Sequence, residues 1–223
     1  MKYYCDGSRF RPTFRGCLHF LMLLATPIWL LPQIAHVTSP IACLGVMLSA
    51  STIWLCYGIS AVYHMVPMTK QQEDVISRLD LFGILYMISF KGAVVFTVLA
   101  PTAGIPLMLI MIPILIWYLV DCLQFREYGS NLYRTVGYSI AGGLIILAVL
   151  PEFLTRGTWF EIGCWLTGFT FNVIGGVIYA QESPDLLPGD FGYHELFHLL
   201  NVCAALLSCL TNYSILRRSY FSY

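Results

Sequence analysis

Three groups of residues in this chain have the types and spacings of a reactive site, although they lie in or beside strongly apolar stretches. Ser60 and His64 stand four apart in Gly58-Ile59-Ser60-Ala61-Val62-Tyr63-His64. Asp80 closes Arg78-Leu79-Asp80. His194 and His198, again four apart, sit in Gly192-Tyr193-His194-Glu195-Leu196-Phe197-His198. Positions i and i+4 share a helix face. His194 and His198 on one helix can therefore aim both imidazoles at one point, the spacing by which a helix offers two nitrogens to zinc. Taken singly, each residue has a plainer reading. An interfacial histidine contacts headgroups, Asp80 caps a helix or pairs with Arg78, and Ser60 is interhelical packing.

The elements that would hold these residues are set by composition. Of 223 residues, 58% are hydrophobic and 11% charged, with a mean hydropathy of +0.73. Soluble domains carry roughly 25% charged residues, and a chain of this length has too little interior to hide so much apolar surface. A helix crosses the hydrocarbon core with about 20 mostly apolar residues. Seven segments qualify: 15–36, 41–64, 79–100, 104–124, 133–151, 158–181 and 194–216. The fourth is the weakest, because Pro106 and Pro113 interrupt it. The expected fold is an all-α seven-helix membrane bundle spanning 15–216, between an N-terminal segment, 1–14, and a short tail, 217–223. The run after Lys2, Arg9, Arg11 and Arg15 reads as a retained span, being too long for a signal h-region. Cysteines scattered through the apolar runs, with no Cys-x-x-Cys pair, read as small core residues. A formal net charge of zero argues against nucleic acid as a partner. Membrane lipids are the expected surroundings.

Lys and Arg give the orientation. Lys2, Arg9, Arg11, Arg15, Lys70, Arg78, Arg126 and Arg134 fall on the side of the N-terminus, against Arg156, Arg217 and Arg218 on the other. The N-terminus is therefore expected inside the cell and the C-terminus outside. With that topology the end of the second span (His64), the start of the third (Asp80) and the start of the seventh (His194, His198) fall in one layer near the cytoplasmic face. Three histidines with water in the fourth position form a catalytic zinc set.

These residues also carry a family resemblance. The chain resembles the hemolysin III group of the progestin and adipoQ receptor family, part of a larger set with the adiponectin receptors and alkaline ceramidases. The likeness starts at Arg15-Gly16-Cys17-Leu18-His19, runs through Ser60-Ala61-Val62-Tyr63-His64 and Arg78-Leu79-Asp80, and ends with Phe191-Gly192-Tyr193-His194-Glu195-Leu196-Phe197-His198. It implies seven helices around an intramembrane zinc, a cytoplasmic N-terminus, His64, His194 and His198 as ligands, and Asp80 and Ser60 at the metal-bound water. Two departures fall on the cavity wall and leave the metal set intact. Many relatives have His after the Asp, where this chain has Leu81, and a small polar segment where it reads Ser89-Phe90-Lys91-Gly92-Ala93.

Zinc brings the pKa of bound water to about 7, Asp80 is placed to take its proton, and Ser60 to hydrogen-bond the developing oxyanion. That combination suits a zinc-dependent, ceramidase-like hydrolase of an amide or ester in a lipid substrate lodged in an intramembrane cavity. The rival readings are a lipid or steroid receptor with a structural zinc, and a membrane-disrupting protein. No span carries charges on successive turns, which disfavours a pore. Lys91, deep in the third span, reads as a snorkelling or paired side chain, with Asn172 one possible partner. Its sharper reading is a cationic anchor for a lipid carboxylate or headgroup. Asn201 reads as support for the site or as an interhelical hydrogen bond, and His19 as packing rather than a fourth ligand.

Overall fold

The computed structural model describes residues 14–124, 130–187 and 190–221. Within them lie seven helical segments long and apolar enough to cross a membrane, with mean hydropathies of 1.4 to 2.3. Lys2, Arg9, Arg11 and Arg126, four of the charges that set the expected orientation, lie outside the described residues.

The first span is two helices, α1 (Phe14–Leu24) and α2 (Thr26–Ile34). Pro27 at the start of α2 has no N–H for the helical ladder, so the axis breaks at Ala25. The second span, α3 (Pro40–Met65), is capped by the Ser39 hydroxyl accepting from the Ala42 N–H. The third starts earlier than the hydropathy suggests. α4 runs Lys70–Phe90, begun by a reciprocal cap between Thr69 and Gln72. Asp80 therefore lies about three turns inside the helix and cannot be its N-cap. After Phe90 the span turns at Lys91 and Gly92 and winds as a π-helix over Val95–Leu99.

The fourth span, α5 (Pro101–Leu123), is continuous despite Pro106 and Pro113. It is the most hydropathic span and mostly faces outward, where no tight packing opposes the prolines. α6 (Asn131–Arg156) and α7 (Trp159–Gln181) make spans five and six. α8 (Tyr193–Tyr220) makes the seventh, and its last turn carries Arg217 and Arg218.

Two buried glutamates fix the starts of the last two spans. Glu161 accepts from the Thr158 N–H at 2.8 Å, and takes Ser214 Oγ and Arg218 Nη2 from the end of α8. Glu195 accepts from the Gly192 N–H at 2.9 Å and pairs with Arg15 of α1. In each case an acidic group sits at the positive end of a helix dipole and ties another span to it. Two glycines let helices approach closely near the site. A Cβ on Gly16 would strike Met65, and one on Gly83 would lie 3.0 Å from the Cys56 backbone. Both contacts draw a neighbour onto α3, the helix that carries Ser60 and His64.

Candidate metal centre

His64 is the last but one residue of α3, and His194 and His198 occupy the first two turns of α8. The fold brings the three rings together. Their centroids are 5.1 Å (His64–His194), 5.2 Å (His64–His198) and 4.7 Å (His194–His198) apart. One nitrogen from each lies within 4.8 Å of the others, a group able to hold a metal ion. His64 and His198 are buried, and His194 is half-buried.

Asp80 lines the same cavity as His194 and His198. Ser60, buried one turn before His64, lies beside Asp80. Its hydroxyl makes no hydrogen bond of ordinary geometry among the described residues. Asp80, His194 and His198 line a cavity of about 160 Å³, and His64 and Ser60 adjoin them, so the five residues singled out from the sequence come together.

The donor set fits a transition metal of the imidazole-binding kind. His198 Nδ1 is engaged by His19 Nε2 at 2.8 Å, while His198 Nε2 is buried with no hydrogen-bond partner among the described residues. A buried imidazole nitrogen left without a proton partner is costly unless something coordinates it. Imidazole suits zinc, and a ligating histidine characteristically uses its second nitrogen in a hydrogen bond that fixes the ring.

That second nitrogen shows what the sequence reading misplaced. His19 does more than pack: it holds a candidate ligand. It is buried, stacks on Tyr57 with centroids 4.2 Å apart, and Tyr57 in turn donates to Asn201 O and Oδ1 at 2.9 and 3.1 Å. Asn201 is thus a support of the site, as expected, through Tyr57. The signal for His19 was present, since an ionisable residue inside an apolar run is a functional candidate by default. Glu195 was also passed over. The Gly192-x-x-Glu195 spacing of a helix start pointed to it, and its pair with Arg15 sets how α8 presents both histidines.

Away from this layer the cavity walls are mainly apolar, with Ile84, Met87, Ile145 and Phe169 among them, but Thr135, Tyr138, Ser139, Asn172 and Lys91 also line them. Lys91 and Asn172 both line the cavity, yet no hydrogen bond joins them.

A family model described as haemolysin-III related matches residues 8–209. No curated protein and no solved structure matches the chain.

Proposed function

The chain belongs to the haemolysin-III related family and is a multi-pass membrane protein, and on that premise we propose that it is a zinc-dependent intramembrane hydrolase of an amide or ester bond in a lipid. The observation that carries the proposal is the company of the three histidines. A carboxylate and a hydroxyl, Asp80 and Ser60, stand beside them at a mainly apolar cavity. A metal that only braced the fold would need neither group.

His64, His194 and His198 would hold the ion, which supplies Lewis acidity and a water that ionises near neutral pH. The remaining work falls to the chain. Asp80 orients a water toward the bond to be cut and accepts its proton at the carboxylate. Ser60 donates a hydrogen bond, keeping its proton, to the oxygen on which negative charge develops. His19 keeps the His198 ring in the orientation that aims Nε2 into the site. The apolar walls take the lipid's hydrocarbon and keep bulk water from the reacting end.

The test is an assay of purified wild type, Asp80→Asn and Ser60→Ala on ceramides and other amide- and ester-linked lipids, with zinc content measured in parallel. Asp80→Asn should keep the fold and most of the zinc and lose hydrolysis, because the amide cannot accept a proton. Ser60→Ala should cost less than the roughly 10²–10³-fold typical of losing an oxyanion donor, since water can partly replace the hydroxyl. Turnover that survives Asp80→Asn removes Asp80 as the base. Zinc-loaded protein without turnover on any lipid class points to a receptor instead.

A further inference from the structure

The cavity is lined mainly by apolar side chains, with Asn172, Ser139 and Ser208 among the polar ones, and a cation, Lys91, lines it away from the histidines. Lys91 lies eleven residues beyond Asp80 along the third span, about 16 Å at 1.5 Å per residue. Two other spans give a similar depth. The Lys91 carbonyl accepts from Ser49 Oγ at 2.9 Å, and Ser49 Oγ accepts from Asn212 Nδ2 at 2.9 Å. Ser49 is fifteen residues from His64 on α3, and Asn212 is fourteen from His198 on α8, both about 21–23 Å along their helices. This polar chain also serves the backbone. It satisfies a carbonyl at the point where the third span stops being a regular α-helix, so the break at Lys91 is built in.

The side chain itself has no such support. Among the described residues the Lys91 ammonium makes no hydrogen bond or ion pair, and the titratable side chains that act on it are Cys209 and Cys56. Snorkelling does not account for it either. The Cα–Cβ bond of a helical residue tilts toward the helix N-terminus. Lys91 therefore leans back toward the Asp80 end, along the cavity it lines, and away from the far interface. Leu99, where the span ends, is eight residues further on, about 12 Å away. A plain acyl chain lying in this cavity would press its methyl end against an unpaired ammonium, the worst partner available for it.

We infer that Lys91 is the binding site for an anionic group at the inner end of the cavity's ligand, so that the preferred lipid is polar at both ends. One end places its amide, ester or carboxylate at the histidine layer, and the other presents a carboxylate to the Lys91 ammonium. This names the substrate class of the site proposed above and rests on that reading for which end reacts. The binding claim stands apart from turnover.

The experiment measures affinities of the zinc-loaded, purified protein for dodecanoate, ω-hydroxydodecanoate and dodecanedioate, with decanedioate and tetradecanedioate bracketing the length. Wild type should bind the best-fitting dicarboxylate about tenfold tighter than dodecanoate, as a charge-assisted hydrogen bond in a dry site warrants. Lys91→Met should abolish the preference, and Lys91→Arg should retain it. Arg134, the other cation lining the cavity, is the control, and Arg134→Gln should leave the preference in place. Lys91→Met replaces a half-buried cation, without a side-chain partner among the described residues, by an apolar side chain of similar length, so it should fold at least as well as wild type. The wild-type ratio is informative even without it. Equal binding of dodecanoate and every dicarboxylate by wild type overturns the inference. So does a preference that persists in Lys91→Met or disappears in Arg134→Gln, and so does ω-hydroxydodecanoate matching the dicarboxylate. A protein that binds as expected and hydrolyses nothing would sink the hydrolase reading and leave this one standing.

Discussion

At the scale of single residues, the site is a matter of which nitrogen each ring presents. With His198 Nε2 given to a metal, Nδ1 carries the proton and donates it to His19 Nε2, 2.8 Å away. His19 can accept because the flat Tyr57 ring beneath it holds its plane, 9° from parallel. Removing such a support from a ligand typically costs about 10–100-fold in metal affinity. His19→Ala should show that loss in competition with a chelator, together with an altered visible spectrum of the cobalt-substituted protein. His19→Gln, whose amide oxygen can still accept, should recover part of both. Unchanged affinity in His19→Ala would return His19 to simple packing. The double change His194→Ala with His198→Ala should remove bound zinc altogether, and zinc content at the wild-type level would show that the ion sits elsewhere.

At the scale of elements, the centre depends on where α8 begins. Two of the three candidate ligands lie in its first two turns, and Glu195 between them is almost fully buried. One carboxylate oxygen satisfies the Gly192 N–H and the other takes Arg15 from α1. Arg15 is partly accessible, with 27% of its side chain exposed, so solvent screening discounts the ion pair and the cap is the steadier contribution. Glu195→Ala loses both and should destabilise the protein by about 1–3 kcal/mol. Glu195→Gln keeps an acceptor for the cap and should lose less. Thermal unfolding in detergent, read with metal content, tests this. An Ala variant that melts with wild type and holds metal equally would mean that packing alone positions the helix.

At the scale of the whole molecule, the outstanding quantity is orientation. Seven spans predict termini on opposite sides, and the excess of Lys and Arg predicts the N-terminal side inside. Tags at the two ends should therefore report from opposite compartments in intact cells, the N-terminal one from the cytoplasm. A C-terminal tag reporting from the cytoplasm would contradict the span count or the charge rule, and with it the placement of the histidine layer near the inner face.

The sequence by itself determined the features that local chemistry decides. Hydropathy over windows of helix length gave seven spans, and four-residue spacing put Ser60 with His64 and His194 with His198 on shared faces. Alternation of topology then laid these pairs and Asp80 in one layer. It misjudged the start of the third span, because residues 70–78 are polar and a hydropathy window ends where the lipid does, while a capped helix continues into water. Only the tertiary structure decided which faces meet. His19 reaches His198 across 179 positions of sequence, and Arg15 reaches Glu195 across 180. No local pattern encodes such pairings, which arise when Gly16 lets α1 close onto α3 and α1 packs on α8. Lys91 was visible from the start as a charge at membrane depth. That it leans into the cavity, with no partner among the described residues, follows from the tilt of its Cα–Cβ bond and from the helix break that Ser49 and Asn212 hold in place.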